Sequence, residues 1–311
     1  MARPLRYVPP NSLVEITCRT LHGRFLLRPS RDLNEIVLGI LARAARIYRL
    51  KLCAFVYLSN HCHLLLRPVD ARQLARFMGF VNGNLAKEAG RLHRWRERVW
   101  GRRYTAIVVS HEEPAQVARL RYLLEQGTKE GLVRKPQDWP GAHSVQALLD
   151  GRPLRGIWFD RTREYEARRC GQRPAKYEFG EEETLELSPI PAWDNIQPAE
   201  IREMVRGLVR TIEREARTAM RAAGRTPLGI RRIRRQDPHA YPARTRRSPA
   251  PRFHALTWRA RKSLELAYHD FRLRYRQAAE DLKLGRQDVA FPAGCFPPPL
   301  PFARGRPLVA P

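Results

Sequence analysis

The chain has 311 residues, 43% of them apolar, which is room for about two domains of ~150 residues and excludes a disordered polypeptide. Its 58 lysines and arginines against 31 acidic residues give a net charge of +27, an excess that points to a polyanionic partner, because each neutralised phosphate releases condensed counterions. An anionic membrane surface is the competing partner, but no stretch approaches the ~18 continuous apolar residues of a spanning helix, and the opening "MARPLRYVPP" has no signal-peptide core.

The expected setting is therefore cytoplasmic, near nucleic acid and without a membrane. The five cysteines (Cys18, Cys53, Cys62, Cys170 and Cys295) are scattered and form no C-x-x-C pair. That argues against a disulfide framework or a cysteine zinc cluster.

In chain order, "SLVEITCRT" (Ser12 to Thr20) reads as a first strand. "LNEIVLGILARAARIYRL" follows with Leu33, Ile36, Val37, Ile40, Leu41, Ala44 and Ile47 at helical spacing and Asp32 as its predicted cap. "KLCAFVYL" (Lys51 to Leu58) reads as a buried strand, Ser59-Asn60 as a tight turn and "HCHLLLRP" as the strand leading out of it. A second helix is predicted over about Ala71 to Leu92, and a β-prone run within "VWGRRYTAIVVS". A third helix is expected to open at Ser110, with Ser110 and Glu113 as a capping box and Pro114 in the first turn. This order predicts a small antiparallel α+β sandwich with its helices on one face of the sheet.

After Trp139 the pattern changes. The division expected is 1–145 as one domain and 146–311 as a mostly helical, basic region of unknown role. One predicted helix there carries Ile201, Met204, Val205, Leu208 and Ile212 on one face. Another carries Trp258, Leu264, Tyr268, Phe271 and Tyr275 as a core stripe. Between them "GIRRIRRQDPHAYPARTRRSP" reads as an irregular basic segment. Its Arg231, Arg232, Arg234 and Arg235 are candidate phosphate contacts, with a solvated linker as the alternative. The proline-rich tail "FPAGCFPPPLPF" is expected to wrap the surface or to serve as a partner ligand.

The chemistry gathers around two segments. Alternate residues of a strand share a face, so His61 and His63 point the same way and Cys62 the other. Two neutral imidazoles at that spacing can bind one divalent ion, while a strand that merely carries two histidines is the plainer reading. On the third helix, Tyr122 lies ~160–200° away from the apolar face formed by Val117, Leu120 and Leu124. Gln126 follows one turn later, with Lys129 nearby. A tyrosine beside an amide oxygen and a cation suits a nucleophile next to a metal; a surface tyrosine and glutamine without a role is the alternative. Arg102 and Arg103, beside Tyr104, are candidate phosphate contacts.

Together these segments resemble a known family. "SNHCHLLL" is similar to the His-hydrophobic-His motif of the HUH single-strand endonucleases. "RYLLEQGTKEGLVRKPQDWPGAHS" resembles the tyrosine-helix segment of single-tyrosine transposases, especially the REP-associated tyrosine transposases, and "VWGRRYTA" resembles the stretch between the two motifs. The resemblance covers about Ser12 to Ser144. Cys62 stands where an aliphatic residue is usual, and Gly127 where that branch has proline.

The resemblance implies a ferredoxin-like antiparallel sheet with helices. It implies Mg2+ or Mn2+ held by His61, His63 and Gln126, and Tyr122 attacking single-stranded DNA to form a 5′-phosphotyrosine. The implied partner is single-stranded or hairpin DNA, and a homodimer is one arrangement such helices allow. Two other readings compete: a non-catalytic or domesticated nucleic-acid-binding protein on the same sheet, and a structural zinc protein. The zinc reading fails on geometry, because Cys62 points away from the histidines.

Overall fold

The computed structural model describes residues 5–242, 251–286 and 288–297. β1 (Leu13–Arg19), α1 (Arg31–Tyr48), β2 (Lys51–Leu58), β3 (His61–Arg67), α2 (Ala71–His93) and β4 (Thr105–Val109) follow one another in the order expected. They build an antiparallel sheet in the order β2-β3-β1-β4, which is the ferredoxin-like arrangement. A short strand, β7 (Phe253–His254), pairs parallel to β4 at the far edge.

Alternation along the strands gives the sheet two faces. Val14, Ile16, Cys18, Phe55, Cys62, Leu64 and Leu66 point into an apolar core closed by α1 and α2. Leu13, Ala54, Leu65 and Val109 point the other way, against α3 (Glu113–Leu124) and α7 (Pro198–Ala222). The helices thus cover both faces, not one. β1, β2 and β3 are buried on each side, so the second face also needed a cover, and α3 supplies it.

Local details also differ from the expectation. α1 is capped by Ser30, whose hydroxyl accepts the Leu33 N–H at 3.1 Å; Asp32 lies inside the first turn. No capping box forms at α3. The Ser110 hydroxyl donates to Glu112 Oε2 at 2.8 Å, and Glu113 Oε1 accepts from Trp193 Nε1 at 3.2 Å. α3 ends at Leu124, Glu125 makes a turn, and Gln126 opens a separate short helix, α4 (Gln126–Lys129).

Beyond residue 145 come α5 (Val145–Asp150), β5 (Leu154–Phe159), α6 (Arg161–Arg169) and β6 (Gly180–Leu185). β5 and β6, on either side of α6, form a two-stranded antiparallel sheet that packs on the outside of α1. The crossing depends on two glycines. A Cβ at Gly39 would fall 2.2 Å from the Ile157 carbonyl carbon, and one at Gly156 would fall 2.2 Å from the Gly39 nitrogen. Scarce acids tie the layers together: Glu183 takes Arg43 at 2.9 Å and Arg46 at 2.6 Å, and Glu88 takes Arg161 at 2.5 Å.

The basic segment is not wholly irregular. It holds α8 (Ile230–Arg234), docked through Ile233, which is fully buried against Val56, Leu58, Val133 and Trp139. Residues 243–250 of that segment, and the tail from 298 onward, lie outside the described residues. In α9 (Trp258–Lys283), Tyr268 and Phe271 are buried as expected, but Trp258 is 77% exposed. The stripe begins a turn later than the sequence pattern indicates, because only the middle of the helix meets Tyr7 and Phe253.

Candidate active site

The register between β1 and β3 sets Thr17 opposite His63 and Arg19 opposite His61. All four lie on the face toward α3. Each imidazole is held by its Nδ1. Asn60 donates its side-chain N–H to the Gly23 carbonyl at 3.2 Å, which fixes its amide and leaves Oδ1 facing His61 Nδ1 at 2.6 Å. His61 Nδ1 therefore carries the proton and Nε2 keeps its lone pair. His63 Nδ1 lies 2.7 Å from Glu15 Oε1 and 3.2 Å from the Thr17 hydroxyl. The carboxylate accepts the Nδ1 proton, so the Nε2 lone pair is again free. A carboxylate behind an imidazole is the usual way a metal-binding histidine is oriented and made more basic.

His61 is pushed down to about 3, first by burial and then by His63 and Arg19, with the Gln126 side chain pulling it up. It stays neutral, which is the ligand form, across ordinary pH. Gln126 is buried and donates its side-chain N–H to the Tyr122 carbonyl at 2.9 Å. That contact sets the amide so that its oxygen is the remaining polar atom, beside the His61 ring. Two imidazole nitrogens and one amide oxygen thus converge. Among the described residues no group of three or more His, Cys, Asp or Glu gathers as a metal site. The set that does gather is uncharged and suits a labile divalent ion completed by phosphate and water.

Tyr122 lies at the same site. Its ring meets the His63 ring edge-on, with centroids 5.4 Å apart, and the two histidine rings are 5.2 Å apart. Arg119 lies 4.6 Å and Lys129 4.7 Å from the Tyr122 ring centroid. Arg119 also pairs with Glu15 at 2.5 Å, so one buried carboxylate holds both a histidine and the cation beside the tyrosine. Lys129 pairs with Glu125 at 3.2 Å and is exposed. His61, His63, Tyr122, Gln126 and Lys129 are thus brought together within one chain.

The other candidates lie elsewhere. Arg102 and Arg103 are exposed and line a separate cavity with Arg6, Arg98 and Tyr104, toward the α2 side of the sheet. Arg231, Arg232, Arg234 and Arg235 are exposed on or beside α8, past the end of β2.

Glu15 and Arg119 were not singled out in the sequence. The signals were available: an acid in phase with the polar face of an apolar strand, and an arginine one turn before the tyrosine.

Residues 25–126 match the family model described as "Transposase IS200 like", a span that includes both histidines, Tyr122 and Gln126. The match covers less than half of the chain. Among solved structures, the chain is similar to a REP-associated tyrosine transposase bound to a REP hairpin. The identity is 15% and the TM-score 0.39, over 48% of this chain and 85% of that one. It is also similar to a Deinococcus radiodurans structure assigned to a transposase, at 20% identity and TM-score 0.28, over 39% of this chain and 95% of that one. Among curated proteins no match is found. No helix among the described residues is long and apolar enough to cross a membrane.

Proposed function

We propose that this protein is a transposase-like, metal-dependent single-strand DNA endonuclease and strand transferase that works through a 5′-phosphotyrosine and acts on hairpin-bearing DNA. The observation that carries the reading is the convergence of Tyr122, His61, His63 and Gln126 beside one another in one chain. The first part of the chain, 1–145, carries the chemistry, and 146–311 supports and extends the DNA-holding surface.

His61 Nε2, His63 Nε2 and the Gln126 oxygen would hold Mg2+ or Mn2+. When bound, the ion supplies Lewis-acid polarisation of the scissile phosphoryl group. Glu15 and Asn60 keep the two imidazoles in the tautomer that binds. Arg119 and Lys129 flank the Tyr122 ring and offset the negative charge of an incoming phosphate. Tyr122 Oη forms a bond to phosphorus as the bond to O3′ breaks. The phenol proton is lost and the departing O3′ gains one, leaving a 5′-phosphotyrosine and a free 3′-OH. The reverse attack by a 3′-OH rejoins DNA with no external energy source.

Incubation with a labelled hairpin-bearing single strand and Mg2+ or Mn2+ should give a covalent adduct that survives denaturing electrophoresis. Tyr122→Phe should abolish the adduct while leaving DNA binding intact. Undiminished cleavage by that variant would remove Tyr122 from its role; binding with no cleavage by the unaltered chain under either metal would favour a non-catalytic DNA-binding protein.

A further inference from the structure

The segment that follows α8 is tied down at more points than a linker needs. Gln236 Oε1 accepts from the Ser59 hydroxyl at 2.6 Å, and the Gln236 carbonyl accepts from Arg28 Nη1 at 3.0 Å. The Ala240 carbonyl accepts the Phe25 N–H at 3.0 Å, and the His239 carbonyl accepts from Arg24 Nη1. The His239 ring donates from Nε2 to the His93 carbonyl at 2.9 Å. The segment therefore crosses from the β2–β3 turn, over the loop after β1, to the C-terminal end of α2.

At the end of this crossing, rings and a guanidinium gather. Arg24 lies 5.1 Å from the Trp95 ring centroid and 5.5 Å from that of Tyr241. Trp95 meets His239 edge-on at 5.5 Å. Tyr241 nonetheless keeps 58% of its surface exposed. An exposed ring on a pinned backbone does little for the fold, since an aromatic side chain stabilises by being buried.

The electrostatics of the patch are as one-sided. Segments 22–28, 93–98 and 236–241 contain Arg24, Arg28, Arg94, Arg96 and Arg98 against only Glu97 and Asp237. Asp237 Oδ1 already accepts the His239 backbone N–H at 3.0 Å. Each arginine lacks an ion pair among the described residues. Arg24 Nε, Arg28 Nε and His93 Nε2 are shielded from solvent with no hydrogen-bond partner among those residues.

The patch adjoins the catalytic pocket. Gly23, the residue before Arg24, supplies the carbonyl that orients Asn60, which in turn holds His61.

We propose that Arg24, Trp95 and Tyr241 form a nucleotide-stacking subsite for single-stranded DNA beside the catalytic pocket. A base lies on the Tyr241 ring, Arg24 pairs with its phosphate, and the exposed arginines of α8 continue the phosphate track. Stacking on an aromatic ring requires a base with a free π-face, which a single strand offers and a duplex interior does not. The assignment rests on the reading of this protein as one that acts on single-stranded DNA.

The test uses the full chain carrying Tyr122→Phe, so that no covalent step contributes, with a fluorescein-labelled single-stranded oligonucleotide and a duplex of the same length. Tyr241→Ala should weaken single-strand binding about tenfold, as expected for loss of one base–aromatic stack. Tyr241→Phe should bind like the parent, because the ring and not the hydroxyl is used. Arg24→Gln should weaken binding and lessen its salt dependence. A 5-iodouracil placed in the oligonucleotide should photo-crosslink to Tyr241. Unchanged affinity in Tyr241→Ala, with an unchanged melting temperature, would overturn the subsite, as would an equal loss on duplex. The readout is binding, so a failure to cleave by the unaltered chain would sink the nuclease reading and leave this result interpretable.

Discussion

The two faces of the central sheet are made from the same strands and differ by one residue of phase. On one, Ile16, Cys18, Cys62 and Leu64 enter a core of aliphatic and aromatic side chains. On the other, Glu15, Thr17, His61 and His63 form a buried polar cluster with Arg119 and Gln126. The first arrangement stabilises by area removed from water. The second loses hydration on every member and recovers it only through matched partners, Glu15 above all. A sheet can carry both because its side-chain period is two. The polar face is where stability is traded for pre-set geometry.

Substitutions on the paired strands β1 and β3 separate the two. Leu64→Ala, which is fully buried on the apolar face, should cost about 2–5 kcal/mol by denaturant unfolding. A loss under about 1 kcal/mol would mean that this face is not the main core. Glu15→Gln keeps the side-chain shape but removes the charge shared by His63 and Arg119. Metal affinity or DNA cleavage should fall about 10- to 100-fold, and stability should fall as well, because Arg119 is left without its carboxylate. If Glu15→Gln keeps full activity, or Leu64→Ala loses activity without losing stability, the distinction between the faces collapses.

At neutral pH the smallest expected effect is that of His143, which shows only in acid. Burial pushes His143 down to about 4, with Pro136 pulling the other way; it lies beside β2 through a bridge to Val56. Its folded pKa is below the ordinary 6.5, so between those values the unfolded chain binds more protons. Its stabilisation is complete above about pH 6.5 and is lost as pH falls toward 4, by at most about 1.4 kcal/mol per pH unit. His143→Phe should flatten the acid side of a melting-temperature profile. A profile as steep as that of the parent would show that His143 is not one of the groups responsible.

Much of this was legible along the chain. β2 runs over the span its composition indicates, and β3 starts at His61, because β-branched and aliphatic runs ending in Ser-Asn leave little freedom of boundary. The histidine pair and the Tyr122–Gln126 spacing also stood out, since both follow local periodicities. Glu15 did not, because one acid in a strand looks like any solvent-facing position until a helix covers it. The break at Glu125 was equally hidden: nothing between Leu124 and Gln126 is a helix breaker, and the separation of α3 from α4 depends on what each packs against. Nor did the glycines at 39 and 156 announce that they meet, 117 positions apart, where any Cβ would collide.

By itself the amino-acid sequence determined β1 to β4, α1 to α3, the two long C-terminal helices α7 and α9, which side of β3 the histidines take and the excess of positive charge, because each follows from neighbouring residues and simple periods. Only the tertiary structure decided that α3 lies across that strand and sets Tyr122 against His63. It also decided that one buried glutamate holds both His63 and Arg119, and that a segment more than a hundred residues later lays Tyr241 beside Arg24. Those outcomes depend on which apolar faces bury one another across the chain, and no local pattern encodes the partner.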